Sequence, residues 1–168
     1  MREALLAEPT LATRVRPDAA PALLAPLVTP PLHAAHAQGV DLILEGFLAH
    51  HGTPRQLVED ADTGTRVLAG DYCYASGLVT VAASGDLFVI RALGGLVAVS
   101  AGLVAADRRA DLPALWLGTM AAIAGPRGPE AEAAFGDALR AMRDGDRTPL
   151  AALASALHHA PDLEAVLA

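Results

Sequence analysis

The chain has 168 residues, of which 53% are hydrophobic, 4% aromatic and 18% charged. That apolar content excludes intrinsic disorder. A net charge of −7, with arginine supplying all 12 basic residues, argues against a general nucleic-acid binder.

The apolar mass is Ala, Leu and Val, which suits closely packed helices better than a β-sandwich. Residues 3–13 and 20–28 read as short helices separated by Arg16-Pro17-Asp18. Pro31 can open the next helix, which runs from Leu32 to His50 at helical spacing. His51-Gly52-Thr53-Pro54 is a break. Thr53 and Gln56 have capping-box spacing, which predicts a helix over 54–61. Asp62-Thr63-Gly64 marks either a turn or the start of a long helix, Thr65 to Ala83, that ends at Ser84-Gly85. Asp86 caps the next helix, which reaches about Ala106. Asp111-Leu112-Pro113 opens another, ending at Gly125-Pro126, and Pro129 to Met142 is amphipathic. The tail supplies two short helices, Thr148 to His159 and Pro161 to Leu167. No stretch alternates like a strand, and there is no internal repeat or long linker. The expectation is an all-α, single-domain helical bundle over 1–168, with about seven to nine antiparallel helices.

Leu87 to Ala106 approaches the length of a bilayer span. Arg91 interrupts it, and no second span of similar quality follows. It is read as a buried bundle helix, with Gly94-Gly95 as a packing notch and no transmembrane segment. The N-terminus lacks an apolar signal region and carries Glu3 and Glu8, so a cytoplasmic location is expected.

Cys73 is the only cysteine, which excludes an intramolecular disulfide and a cysteine-rich zinc site. Its neighbours Gly70-Asp71-Tyr72 and Tyr74 supply no base, so it reads as a small, half-buried apolar residue. His33 and His36 share a helix face. As metal ligands they would need an acidic or third histidine ligand, which Asp41 or Glu45 could supply; otherwise they are surface or half-buried histidines. His158-His159 suits the negative end of a helix. Asp41 and Glu45, four residues apart, share one helix face. They can hold Mg²⁺ if substrate phosphates complete the octahedron, or they form the polar edge of a buried helix.

The stretch from Asp41 to Ala75 resembles the trans-type polyprenyl diphosphate synthases. Asp41-Leu42-Ile43-Leu44-Glu45 stands in the place of that family's Asp-Asp-x-x-Asp motif. His50-His51-Gly52-Thr53-Pro54 follows where the family has Arg-Arg-Gly-x-Pro, and Val67-Leu68-Ala69-Gly70-Asp71-Tyr72 resembles its Leu-Ala-Gly-Asp-Tyr helix. Phe135-Gly136-Asp137-Ala138-Leu139 is similar to its Tyr-Gly-x-x-Leu segment, and the resemblance covers roughly residues 31 to 145.

The resemblance implies an isoprenoid-synthase-like bundle. It also implies a diphosphate and metal site whose remnants here are Asp41, Glu45, His50, His51 and Asp71. Several of the family's ligands are replaced. Leu42 has no oxygen for a hard cation, and neutral histidines replace paired guanidinium forks. Lysine is absent, and Arg147-Thr148-Pro149 falls where a second aspartate motif is due, with only Asp144 and Asp146 nearby.

Ionising an allylic diphosphate needs several cations. The expected function is therefore a non-catalytic relative, or pseudoenzyme, with no catalytic residue assigned. It would be a homo- or hetero-oligomer serving as partner or regulatory subunit of an active prenyl synthase, or would bind a prenyl or other lipid ligand. The alternatives are a divergent prenyltransferase, which alone would require Mg²⁺ as cofactor, and an unrelated Ala-rich helical interaction protein.

Overall fold

Caps and prolines set most of the helix ends. The computed structural model describes residues 2–18, 20–29, 31–58, 62–157 and 159–167. Within them the α-helices are α1 (Arg2–Ala7), α2 (Pro9–Ala12), α3 (Ala25–Val28), α4 (Ala34–His51), α5 (Thr63–Ala82), α6 (Leu87–Ala105), α7 (Leu112–Ala124), α8 (Pro129–Asp144), α9 (Thr148–Ala154) and α10 (Glu164–Leu167). A 3-10 turn, Arg109–Asp111, precedes α7. No strand forms among the described residues; Val15 and Leu57 make only an isolated antiparallel bridge. The all-α class stands.

Asp62 and Asp86 begin α5 and α6 by accepting the N–H groups of Thr65 and Val89, each at 3.1 Å. Proline occupies the first turn of α7, α8 and α9, where its missing N–H costs no bond. Gly145, left-handed at φ 106°, ends α8 by donating its N–H to the carbonyls of Ala141 and Met142.

Several boundaries differ from the sequence reading. The segment 3–13 divides into α1 and α2 at Glu8, which caps Pro9–Ala12, and only Ala25–Val28 of 20–28 is α-helical. No helix covers 54–58, and 59–61 lie outside the described residues. His33 is the N-cap of α4 rather than a residue within it, accepting the Ala35 N–H through Nδ1. Helix α9 stops at Ala154, five residues before His159, which has φ 60°; His158 lies outside the described residues, and the final helix starts at Glu164 rather than Pro161.

The antiparallel pair α4 and α5 packs through glycine. A Cβ on Gly39 would stand 2.6 Å from the Gly77 carbonyl oxygen, and one on Gly77 would stand 2.6 Å from that of Gly39. Further along, Gly46 faces Gly70 and the Tyr74 ring, and a Cβ on Gly70 would meet the His50 ring at 2.5 Å. These small residues let the two backbones approach at two places, Gly39–Gly77 and Gly46–Gly70, and make room for the His50 ring beside the second.

The larger apolar core gathers α3, α4, α6, α7, α8 and α9 around Trp116, whose ring meets Phe47 edge-on at 5.5 Å. A smaller core holds Leu5, Leu11, Leu42, Leu57, Ala69 and Cys73. Cys73 is fully buried, not half-buried.

Helix α6 is long and apolar enough to cross a membrane by length and composition. Its inward residues, among them Val89, Leu93, Leu96 and Leu103, lie in the larger core, an arrangement compatible with a chain surrounded by water. Gly95 is a packing notch against Leu139, whereas Gly94 faces open space.

Candidate functional site

Asp41 and Glu45 both sit on the buried stretch of α4, each only 2% exposed. A buried carboxylate needs hydrogen-bond donors, and here the backbone supplies them. Asp41 Oδ1 accepts the N–H groups of Leu23 and Leu24 at 2.8 and 3.2 Å, and Oδ2 accepts that of Ala25 at 2.8 Å. One side chain thus pins the start of α3 against the middle of α4.

Glu45 does the same for the loop after α4. Its Oε1 accepts from Gln56 and Leu57 at 2.7 and 3.2 Å, and its Oε2 from Arg55 at 3.1 Å. Thr53 therefore does not cap a helix at Gln56: the N–H groups that such a helix would leave free are bound by Glu45. The Gln56 amide nitrogen donates instead to the Ala20 carbonyl. Burial pushes the Glu45 carboxyl upward, against the pull of these N–H groups and the Arg55 charge.

A carboxylate offers about four lone-pair sites. Three on each of these residues are filled, and the one left on each is enclosed, because both residues are only 2% exposed. A hydrated metal ion would reach it only if the surrounding packing moved. Leu42, between them, is packed into the smaller core with Leu5, Leu57 and Cys73.

His50, His51 and Asp71 form a second group. Nine residues of α4 separate Asp41 from His50, about 13 Å of helix rise. His50 Nε2 lies 3.2 Å from Asp71 Oδ1, and its ring stacks on Tyr74 at 5.4 Å. The His51 ring lies against Phe47 at 5.1 Å. Burial first, then the charges of His50 and Arg109, hold the His51 pKa below its ordinary 6.5. The structure thus joins His50 to Asp71, with Asp41 well removed along α4 and both acidic side chains of α4 bonded to backbone N–H groups instead.

Sequence reasoning missed two arginines here. Arg66 donates to the carbonyls of Ala49 and Gly52, and Arg109 donates to that of His51. They satisfy the free carbonyls at the C-terminus of α4, where positive charge is favoured. Arg109 lies 58 residues from its partner, so no local signal announces it.

Cys73 offers no nucleophile, because burial and the nearby Glu45 push its thiol up to about 12. His33 and His36 rings lie 5.9 Å apart, while Asp41 and Glu45 are committed elsewhere. Among the described residues, no group of three or more His, Cys, Asp or Glu side chains is placed to hold a metal ion. No protein-family model, curated protein or solved structure matches this chain.

Proposed function

We propose that the chain is a non-catalytic, polyprenyl-synthase-like partner subunit that docks on an active prenyl synthase and adjusts its product. The observation that carries the reading is the outward face of α5. That helix packs mainly on α4. On its far side Leu68 and Val79 are 70% and 72% exposed, and Ala75 and Ala82, at helical spacing with them, are exposed too, with the Asp71 carboxylate standing in the same row between Leu68 and Ala75. Leu87, just beyond the turn into α6, is 66% exposed. Single exposed apolar residues are ordinary, but an aligned stripe along a helix marks a place for another surface.

The commitments of Asp41 and Glu45 weigh against the prenyltransferase alternative, since the oxygens that would grip Mg²⁺ already hold the chain together. The family and the partner rest on the resemblance of residues 31 to 145. A cytoplasmic setting fits that role.

Co-expression with the host's full-length prenyl synthase, followed by size-exclusion chromatography with light scattering and product analysis, tests the proposal. The expected result is a hetero-oligomer with altered product chain length, lost in the double variant Leu68→Glu, Val79→Glu. A 17.2 kDa monomer that never co-elutes would overturn it. So would Mg²⁺-dependent prenyl transfer by the purified chain alone.

A further inference from the structure

An open region of the fold is lined by none of the five candidate residues. The start of α6, the end of α7, α8 and α9 enclose a cavity of about 290 Å³. Phe88 and Phe135, edge-to-face at 5.8 Å, form one wall. Ala122, Ala134, Ala138 and Leu153 line the others, and no ionisable side chain faces in. Alanine from two helices leaves the space unfilled where Leu or Phe would close it. The size lies near the lower bound of small-molecule sites.

The rim decides which ligand fits. Arg127 lies over the Phe88 ring, 4.6 Å from its centre, but its guanidinium is 3.3 Å from the Asp86 carboxylate. The cation that lies against this wall is thus already matched by a carboxylate. A carboxylate or phosphate head group would meet a lining without ionisable side chains and an arginine paired with another acid.

We propose that this cavity binds an uncharged aliphatic chain of roughly ten carbons, taking a methylene to fill about as much space as one water of the liquid, ~30 Å³. A neutral alcohol end would sit at the rim, within reach of Asp86 and Arg127. The site is independent of the subunit role, so either can fail alone.

Isothermal titration calorimetry with 1-decanol and with decanoate at pH 8 tests it. Saturable binding of one decanol per chain is expected, at least tenfold tighter than decanoate. Ala134→Leu, on the exposed rim, and Ala122→Leu, deeper in, are each expected to weaken decanol binding at least tenfold while far-UV circular dichroism is unchanged. If Ala122→Leu does not fold, Ala134→Leu decides. Absence of saturable decanol binding, decanoate binding as tightly, or undiminished binding in the folded variants would overturn the proposal.

Discussion

The α4 carboxylates and the α6–α9 cavity are opposite in kind. Around Asp41 and Glu45 there is chemistry without room: each carboxylate takes three backbone N–H groups and is closed over by packing. In the cavity there is room without chemistry: about 290 Å³ lined by alanine, glycine, proline, phenylalanine and leucine. The contrast teaches that an acid pair at metal-binding spacing says little until the destination of each oxygen is known. Here those oxygens hold two loops onto a helix.

The largest effect should come from removing one of these anchors. Asp41→Ala leaves three N–H groups without acceptors, and a buried unsatisfied donor costs about 1–3 kcal/mol. Urea denaturation should show a loss of at least about 3 kcal/mol. Asp41→Asn, which keeps one acceptor oxygen, should lose roughly half as much. A loss below about 0.5 kcal/mol for the alanine variant, the scale of ordinary surface changes, would mean that Asp41 is not an anchor.

Next in size is the glycine contact between α4 and α5. Gly77→Ala drives a Cβ to 2.6 Å from a backbone oxygen, and overpacking of this kind costs about 1–3 kcal/mol. Gly94→Ala meets nothing within 4 Å and should stabilise by about 0.5–1 kcal/mol through helix propensity. The same substitution should therefore change sign between the two helices in thermal melts. Equal effects would contradict the close packing of α4 on α5.

The smallest expected effect is the pH response of His51. Its folded pKa lies below the ordinary 6.5, so the unfolded chain binds the proton more readily. Its contribution to stability is present above about pH 6.5 and fades as pH falls through the lower folded value. Denaturation midpoints should fall less between pH 7 and pH 5 in His51→Gln than in the parent chain. Parallel profiles would place the response elsewhere.

Much of the helical frame was legible because its signals are local. Asp86, Pro113 and Pro129 mark helix starts through contacts within one turn, and α6 to α8 follow the sequence reading closely. The failure over 54–58 has a tertiary cause. Gln56 carries the pattern of a helix start, but its N–H is bound by Glu45, 11 residues earlier, and its side chain by Ala20. Local spacing cannot reveal that competition. For the same reason Asp41 and Glu45 could be picked out as unusual in an apolar helix while their partners could not. The pairing of His50 with Asp71 joins residues that sequence reasoning had already grouped, whereas Arg66 and Arg109 reach the end of α4 only through the fold.

The central claim is that Asp41 and Glu45 act as backbone anchors, not metal ligands, and ligand-dependent stability tests it most directly. A ligand bound only by the folded state raises stability by RT ln(1 + [L]/Kd). Thermal melts of the parent chain and of Asp41→Asn, with and without saturating Mg²⁺ and inorganic diphosphate, should show one constant difference between the two proteins, untouched by the additions. A rise in the parent that Asp41→Asn abolishes would contradict the account and return both carboxylates to metal chemistry.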